Sequence, residues 1–311
     1  MIEEHVSPSF RFTVDILLKS FKESLFVTKS VREIIFDGYH DPLFDNLENL
    51  MKIMPFIKKY IPEGSVMDKF AFFYGRNGTD YTDGVFNMFT GQGDSAKMGV
   101  VHSWNYSTEN YFPGDCGLVK GGAGEFYPPG LSKTYIEMFS NDLCRSLRFN
   151  YKEDLYVKGI LSHEYIADKS LFADGSENTL NACYEPDNVF LPSGVYNTSK
   201  CRFGAPVFIS LPHFYLADTY YLNMIESGVY PNESLHRTFL IVEPRAGIPT
   251  DVTARFQLNV LVDKVENISM LKNVNRTFFP VMWFENKAGV PDDLVFKMKL
   301  LSNLPEILSG M

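Results

Sequence analysis

The decapeptide RFQLNVLVDK, residues 255–264, sets the tightest limit on the fold. Phe256, Leu258, Val260 and Val262 alternate with Arg255, Gln257, Asn259 and Leu261, the period of two expected of a β-strand with one apolar face. Such a strand needs neighbours, so the chain must supply a sheet or barrel whose inside that face forms. From Phe70 onward it does: FAFFYG, GVFNMFTG, MGVVHSWN, EDLYVKGIL, APVFISL and RTFLIVEP are aromatic and β-branched runs separated by Gly, Asn, Asp and Pro. Ahead of them the period changes. Val14, Leu17, Leu18, Phe21 and Leu25 recur at helical spacing, predicting an amphipathic helix from Phe12 to Phe26. Ser30 and Glu33 form a capping box ahead of Val31, Ile34 and Ile35, and Gly38 is the stop. A further stretch from Asp41-Pro42 closes at Pro62 and Gly64 and is expected to be helical in part. The expected class is α+β, mainly β, with a helical region over residues 1–64 and a β-rich core over residues 65–311.

Composition removes other classes. The chain has 311 residues, 45% hydrophobic and 22% charged, enough to bury a sizeable core. A net charge of −9 without any Lys/Arg-rich block excludes the basic footprint of a nucleic-acid binder. Four cysteines, Cys116, Cys144, Cys183 and Cys201, show neither a CxxC pair nor the Cys/His spacing of zinc. An even number spread over long loops suits two disulfides. Six Asn-x-Ser/Thr sequons, at Asn77, Asn105, Asn197, Asn232, Asn267 and Asn275, agree with an oxidising lumen or the cell exterior. Against that compartment, the start MIEEHVSPSFRF carries no signal peptide, and no apolar run reaches the length of a membrane span. The expected explanation is an internal fragment or truncated chain; the alternative is a cytosolic protein with four free thiols.

Reactive residue types give no active site. GxSxG is absent, and Ser210 and His213 stand three apart in an apparent strand, where odd spacing sends side chains to opposite faces. His163-Glu164 lacks the second histidine of HExxH and reads as a polar pair at a strand end. KGGAGEF has neither the P-loop pattern nor a strand–turn–helix context and reads as a loop. The pairs Asp292-Asp293 and Glu185/Asp187 carry no spacing from which acid and base roles follow. Cys201 is a nucleophile candidate or half of a cross-link. The expectation is no catalytic residue, no metal and no cofactor, with a secreted serine or cysteine hydrolase using Ser210 or Cys201 as the contrary reading.

One run carries more. Cys201, Gly204, Pro206, Ser210, Pro212-His213-Phe214 and Ala217-Asp218 resemble the signature of the class B scavenger receptor family, that of fatty-acid translocase and of the lysosomal integral membrane protein. GRNGTD at 75–80, DLCRSLRF at 142–149, PNESLHRTFLIVEPRAG at 231–247 and FPVMWFEN at 279–286 look like further blocks of that family in the same order. The resemblance covers nearly the whole chain.

That resemblance implies an antiparallel β-barrel-like core with an apolar tunnel and an apical helical bundle, set between two transmembrane helices. This chain would be the later two-thirds of the ectodomain, without its opening strands, and is expected not to carry lipid by itself. It implies the pairs Cys116–Cys183 and Cys144–Cys201; the family's third bond has no counterpart, because YEPDNVFLPSGVYNTSK contains no cysteine. Implied partners are fatty acids, sterols or carotenoids, lipoproteins or apoptotic-cell surfaces, and the membrane. The implied location is the extracellular side of the plasma membrane, or alternatively the luminal side of a lysosomal or endosomal membrane as a sorting receptor for a protein. For the apex, Lys19, Lys22, Lys29 and Arg32 beside Phe21 are the candidate ligand residues, cations for anionic head groups and an aromatic for acyl chain. The alternative is a solvated helix face neutralised by Asp15, Glu23 and Glu33.

Overall fold

The computed structural model describes residues 8–55, 58, 68–79, 83–185 and 190–309. Pro62, Gly64 and Asp187 lie outside the described residues. The chain divides into two compact units, the first joining Met1–Asp83 with the later returns Arg202–Ala205 and Leu261–Thr277, the second holding Gly84–Cys201, Pro206–Val260 and Phe278–Met311.

In the first unit helix α1 spans Pro8–Ser20. It stops short of Phe26 because Lys22 takes φ 58°. There the Lys22 N–H bonds to the Lys19 carbonyl and the Glu23 N–H to that of Leu18, closing the last turn. The capping box forms as the sequence predicts. The Ser30 N–H donates to Glu33 Oε2 at 2.8 Å and the Glu33 N–H to Ser30 Oγ at 3.2 Å. The helix it opens widens into a π-type turn over Glu33–Asp37 and ends at Gly38, φ 73°. Only glycine suits that position, since a Cβ there would lie 2.7 Å from Lys69 Cβ. Asp41 caps α2, Pro42–Asp45, by accepting the Leu43 and Phe44 N–H groups, and α3, Leu47–Ile53, follows. Asp15 fastens α1 to the returning segment: its carboxylate accepts the Ser269 N–H at 2.6 Å and the Ser269 hydroxyl at 2.9 Å.

The second unit is built on strands. A two-stranded pair joins β1, Phe86–Met88, to β2, Val101–Trp104. The main sheet contains β3 (Tyr135–Ser140), β4 (Arg145–Val157), β5 (Ile160–Ile166), β6 (Val195–Asn197), β7 (Val207–Ser210), β8 (Phe239–Glu243), β9 (Ile248–Val262) and β10 (Thr277–Gly289). Its order is β3-β4-β5-β8-β9-β7-β6, with β10 joined to β9. The pairs along that path are antiparallel, which makes the fold α+β, mainly β. Short helices α4 (Thr219–Leu222) and α5 (Glu233–His236) lie between strands, and α6 (Asp292–Ser309) follows β10. Val295 and Met298 of α6 pack with Ile160, Ile248 and Val290.

Strand β9 forms where its alternation predicts, but its covered face differs from expectation. Val252, Ala254, Phe256 and Leu258 do pack on the main core with Leu147, Phe149, Tyr165, Ile209, Leu240 and Val242. The polar face, Thr253, Arg255, Gln257 and Asn259, is nevertheless buried throughout, while Leu258 and Val260 are only half-buried. Polar groups tolerate this burial because they satisfy one another. Asn259 Nδ2 donates to Ser210 Oγ at 3.0 Å and to the Phe208 carbonyl at 3.3 Å, and Gln257 Nε2 donates to Asn259 Oδ1 at 2.9 Å. Aromatic rings lie over this face too, with Phe278 at 4.9 Å from Phe208 and 5.1 Å from Tyr221. His163 and Glu164 fall within β5 rather than at a strand end, on opposite faces. His163 lies 2.7 Å from Asp154, and Glu164 pairs with Arg237 at 2.9 Å and Lys152 at 3.4 Å.

Two disulfides cross-link the unit. Cys116 is bonded to Cys183 and Cys144 to Cys201, with Cα atoms 5.8 and 6.4 Å apart and separations of 67 and 57 residues. This is the pairing the resemblance implies, and the two closed loops interlace. Between them Arg145 is buried against aromatic faces, its guanidinium 3.8 Å from the Tyr184 ring centre and 4.8 Å from that of Tyr196, donating to Asn181 Oδ1 at 3.0 Å.

Candidate functional site

The candidate ligand residues all lie in the first unit, on α1 and the segment after it. Lys19, four residues from Asp15, forms a 2.6 Å ion pair with it along the same helix face. The Lys19 ammonium, with the Ser269 N–H behind it, holds the Asp15 carboxyl below the ordinary carboxylate range. Arg32 pairs with Asp37 at 2.8 Å across the π-type turn. Lys29 stands 4.7 Å above the Tyr39 ring. Lys22, in the left-handed turn, is exposed, and Phe21 beside it is half-buried. Three of the four cations therefore have a local partner each, and the structure pairs none of the five candidates with another.

What sequence spacing missed is the apolar surface around them. Phe12 and Ile16 of α1, then Phe26, Val27 and Val31 after it, are exposed, Phe26 at 81% and Val31 at 73%. Periodicity marks apolar residues as core, and helix α1 ends before Phe26 can be carried round to a buried face. Large apolar side chains are thus exposed in the same stretch of chain as Lys19, Lys22, Lys29 and Arg32, residue types suited to an amphipathic ligand with an anionic head.

The segment from Cys201 to Asp218 yields no nucleophile. Cys201 is held in its disulfide. Ser210 is completely buried, its hydroxyl donating to the Leu211 carbonyl at 3.0 Å and accepting from Asn259. His213 instead stacks on His236. Asp218 caps α4 by accepting the Tyr220 N–H at 2.7 Å. The hydrolase reading thus loses both of its candidate residues. A hollow of about 370 Å³ in the second unit has a mixed lining, with Arg148, Lys169 and Glu177 beside Ala173 and Leu180, so it does not match the apolar tunnel the resemblance implies.

The sequons differ in setting. Asn77, Asn105, Asn232, Asn267 and Asn275 are exposed. Asn105 Oδ1 accepts the Val85 N–H at 2.9 Å, and Asn232 caps α5 through the Leu235 N–H. Asn197 is half-buried between β6 and a following turn, with Thr198 buried and bonded to the Val207 carbonyl. Among the described residues no helix is long and apolar enough to cross a membrane.

Comparison with known proteins places the chain. The family model described as CD36 family matches residues 2–311. Protein peste of Drosophila melanogaster is 34% identical over 306 residues, 97% of this chain and 53% of that protein. Scavenger receptor class B member 1 of Rattus norvegicus is 33% identical over 287 residues, 90% of this chain and 52% of that protein. Lysosome membrane protein 2 of Homo sapiens is 29% identical over 304 residues, 97% of this chain and 60% of that protein. The chain spans about half the length of these curated relatives.

Proposed function

The chain belongs to the CD36 family, and on that premise we propose that it is part of a scavenger-receptor-type membrane glycoprotein that binds lipid or lipoprotein ligands and passes apolar cargo toward the membrane without covalent chemistry. The observation that carries this reading is the exposure of Phe12, Ile16, Phe26 and Val31 in the stretch of the first unit that also carries Lys19, Lys22, Lys29 and Arg32. The cations meet an anionic head group and the apolar side chains gain by leaving water with the acyl part. Fatty acids, lipoproteins and apoptotic-cell surfaces share that amphipathic character, while sterols and carotenoids would engage the apolar side chains alone. Glycans at the six sequons and a plasma-membrane location belong to the same proposal. A luminal sorting receptor for a protein is the second reading, favoured by the relative named lysosome membrane protein 2.

Flotation of the full chain with phosphatidylcholine vesicles carrying phosphatidylserine tests surface capture. Phe26→Ser together with Val31→Ser removes two apolar side chains worth about 2 kcal/mol each when fully withdrawn from water. Binding is expected to weaken by at least about tenfold, with the melting temperature unchanged because both side chains are already exposed. Unaltered flotation removes this surface from the site. Vesicle binding absent in the wild-type chain favours the protein-sorting reading.

A further inference from the structure

The rings of His213 and His236 lie face to face, their centres 4.4 Å apart and their planes 4° from parallel. Trp283 of β10 stands nearly edge-on to both, at 6.4 and 6.0 Å. His236 is only 4% exposed. Each imidazole is used as an acceptor: Nδ1 of His213 takes the Tyr230 N–H at 3.1 Å, and Nδ1 of His236 takes the Asn232 N–H at 2.9 Å. A ring nitrogen that accepts carries no proton, so both rings are neutral with the proton on Nε2. The pair is also anchored from below, since the His213 N–H donates to Gln257 Oε1 at 2.8 Å while His213 holds the left-handed φ of 53°.

We propose that this stack is a pH-operated latch on residues 230–236, closed while both rings are neutral and opened by their protonation in a mildly acidic compartment. A proton placed on either Nδ1 sets a donor against a backbone donor and breaks the bond that holds Tyr230 or Asn232. Two imidazolium rings at 4.4 Å then repel each other. The surrounding charges offer no relief. Arg255 of β9 is a cation facing His236, and its own partner is Glu285 of β10 at 2.6 Å. Arg237, next in sequence, is paired with Glu164 of β5 at 2.9 Å. Glu233 opens the same short helix α5 and faces Tyr215.

The His236 proton affinity agrees with this geometry, being lowered by burial first, then by His213 and by Arg255. The sign follows from linkage. A histidine held below its ordinary value of 6.5 leaves the latch fully stable above that pH and weakens it as the pH falls below. Released, residues 230–236 would lose their ties to His213 and to Trp283 of β10, and the sequon at Asn232 and the exposed Tyr230 and Leu235 would move with them. A receptor surface thereby acquires two forms, one for neutral and one for acidic surroundings.

Hydrogen exchange of the full chain, read by mass spectrometry over residues 228–238 and corrected for intrinsic rates, tests the latch between about pH 7.5 and about pH 5. Wild-type protection is expected to fall by up to about tenfold per pH unit for each extra proton the open form binds. His213→Phe with His236→Phe is expected to show low protection at both ends, without pH dependence. Unchanged wild-type protection, or the same pH-dependent fall in the double variant, overturns the proposal. A measurement on wild-type protein alone is independent of variant folding: imidazole ¹⁵N shifts near neutral pH should report Nε2–H for both rings. An Nδ1–H tautomer or an imidazolium there overturns it equally.

Discussion

Opening the Cys144–Cys201 bridge, by Cys144→Ala with Cys201→Ala, is expected to lower the stability of the second unit by close to 4 kcal/mol. The loop it closes separates its ends by 57 residues, and the chain-entropy model assigns a closure of that length about 4 kcal/mol. Interlacing makes this figure a ceiling. The Cys116–Cys183 bridge keeps residues 144–183 restrained in the denatured chain, so the reopened loop recovers less freedom than an isolated one. Burial changes little, because both cysteines are enclosed and alanine keeps most of their volume, a loss of about 1 kcal/mol at most. For a unit of this size the melting temperature should drop by about 10 °C. Differential scanning calorimetry under non-reducing conditions reads this directly, with Cys116→Ala and Cys183→Ala as the companion pair. Removing both bridges should cost more than the sum of the two single losses, because the second loop then opens with no other bridge restraining the denatured chain. A Cys144/Cys201 variant melting within about 2 °C of wild type would refute the reasoning, since it would place less than about 1 kcal/mol in the closure.

Three further outcomes follow from buried or paired groups. Asn259→Leu keeps the side-chain size but strips Ser210 and Gln257 of their shared partner, and should cost about 2–3 kcal/mol in urea unfolding; wild-type stability would show that the network contributes nothing. Arg145→Met should cost about 2–4 kcal/mol by removing both the Asn181 bond and the contacts with Tyr184 and Tyr196, whereas Arg145→Lys would be harmless only if charge alone mattered. Because the Asp15 carboxyl is held low by Lys19 and then by Ser269, the stability it contributes is whole above the ordinary value of 3.8 and is lost as pH falls through the lowered one. Asp15→Asn should flatten that acid branch in circular dichroism of the helices, and an unchanged branch would assign the acid response elsewhere.

The elements most legible in the sequence were those decided by local chemistry. Ser30 and Glu33 formed their capping box, Gly38 ended the turn, and the alternation of residues 255–262 produced β9. Period two identifies a strand but not which of its faces is covered. Gln257 and Asn259 are buried because Ser210 and His213, more than forty residues away, supply their partners. The same gap between local pattern and remote partner separates the candidate ligand cations from their observed settings. Lys19 and Arg32 are engaged by nearby acids, while Phe26 and Val31, whose exposure no local pattern reveals, face solvent. His213 was visible as part of a family-like run, but its stack on His236 depends on α5 returning to that strand end.

The interlaced connectivity also constrains biosynthesis. A chain entering an oxidising compartment from its N-terminus presents Cys116 and then Cys144 before the native partner of either has been made. Among these four cysteines, the first bond open joins the wrong two thiols, and the native pairs are reached either by thiol–disulfide exchange or by shielding one thiol until residue 183 has arrived. Yield of the correctly paired chain is therefore governed by disulfide isomerisation as well as by the stability of the finished sheet.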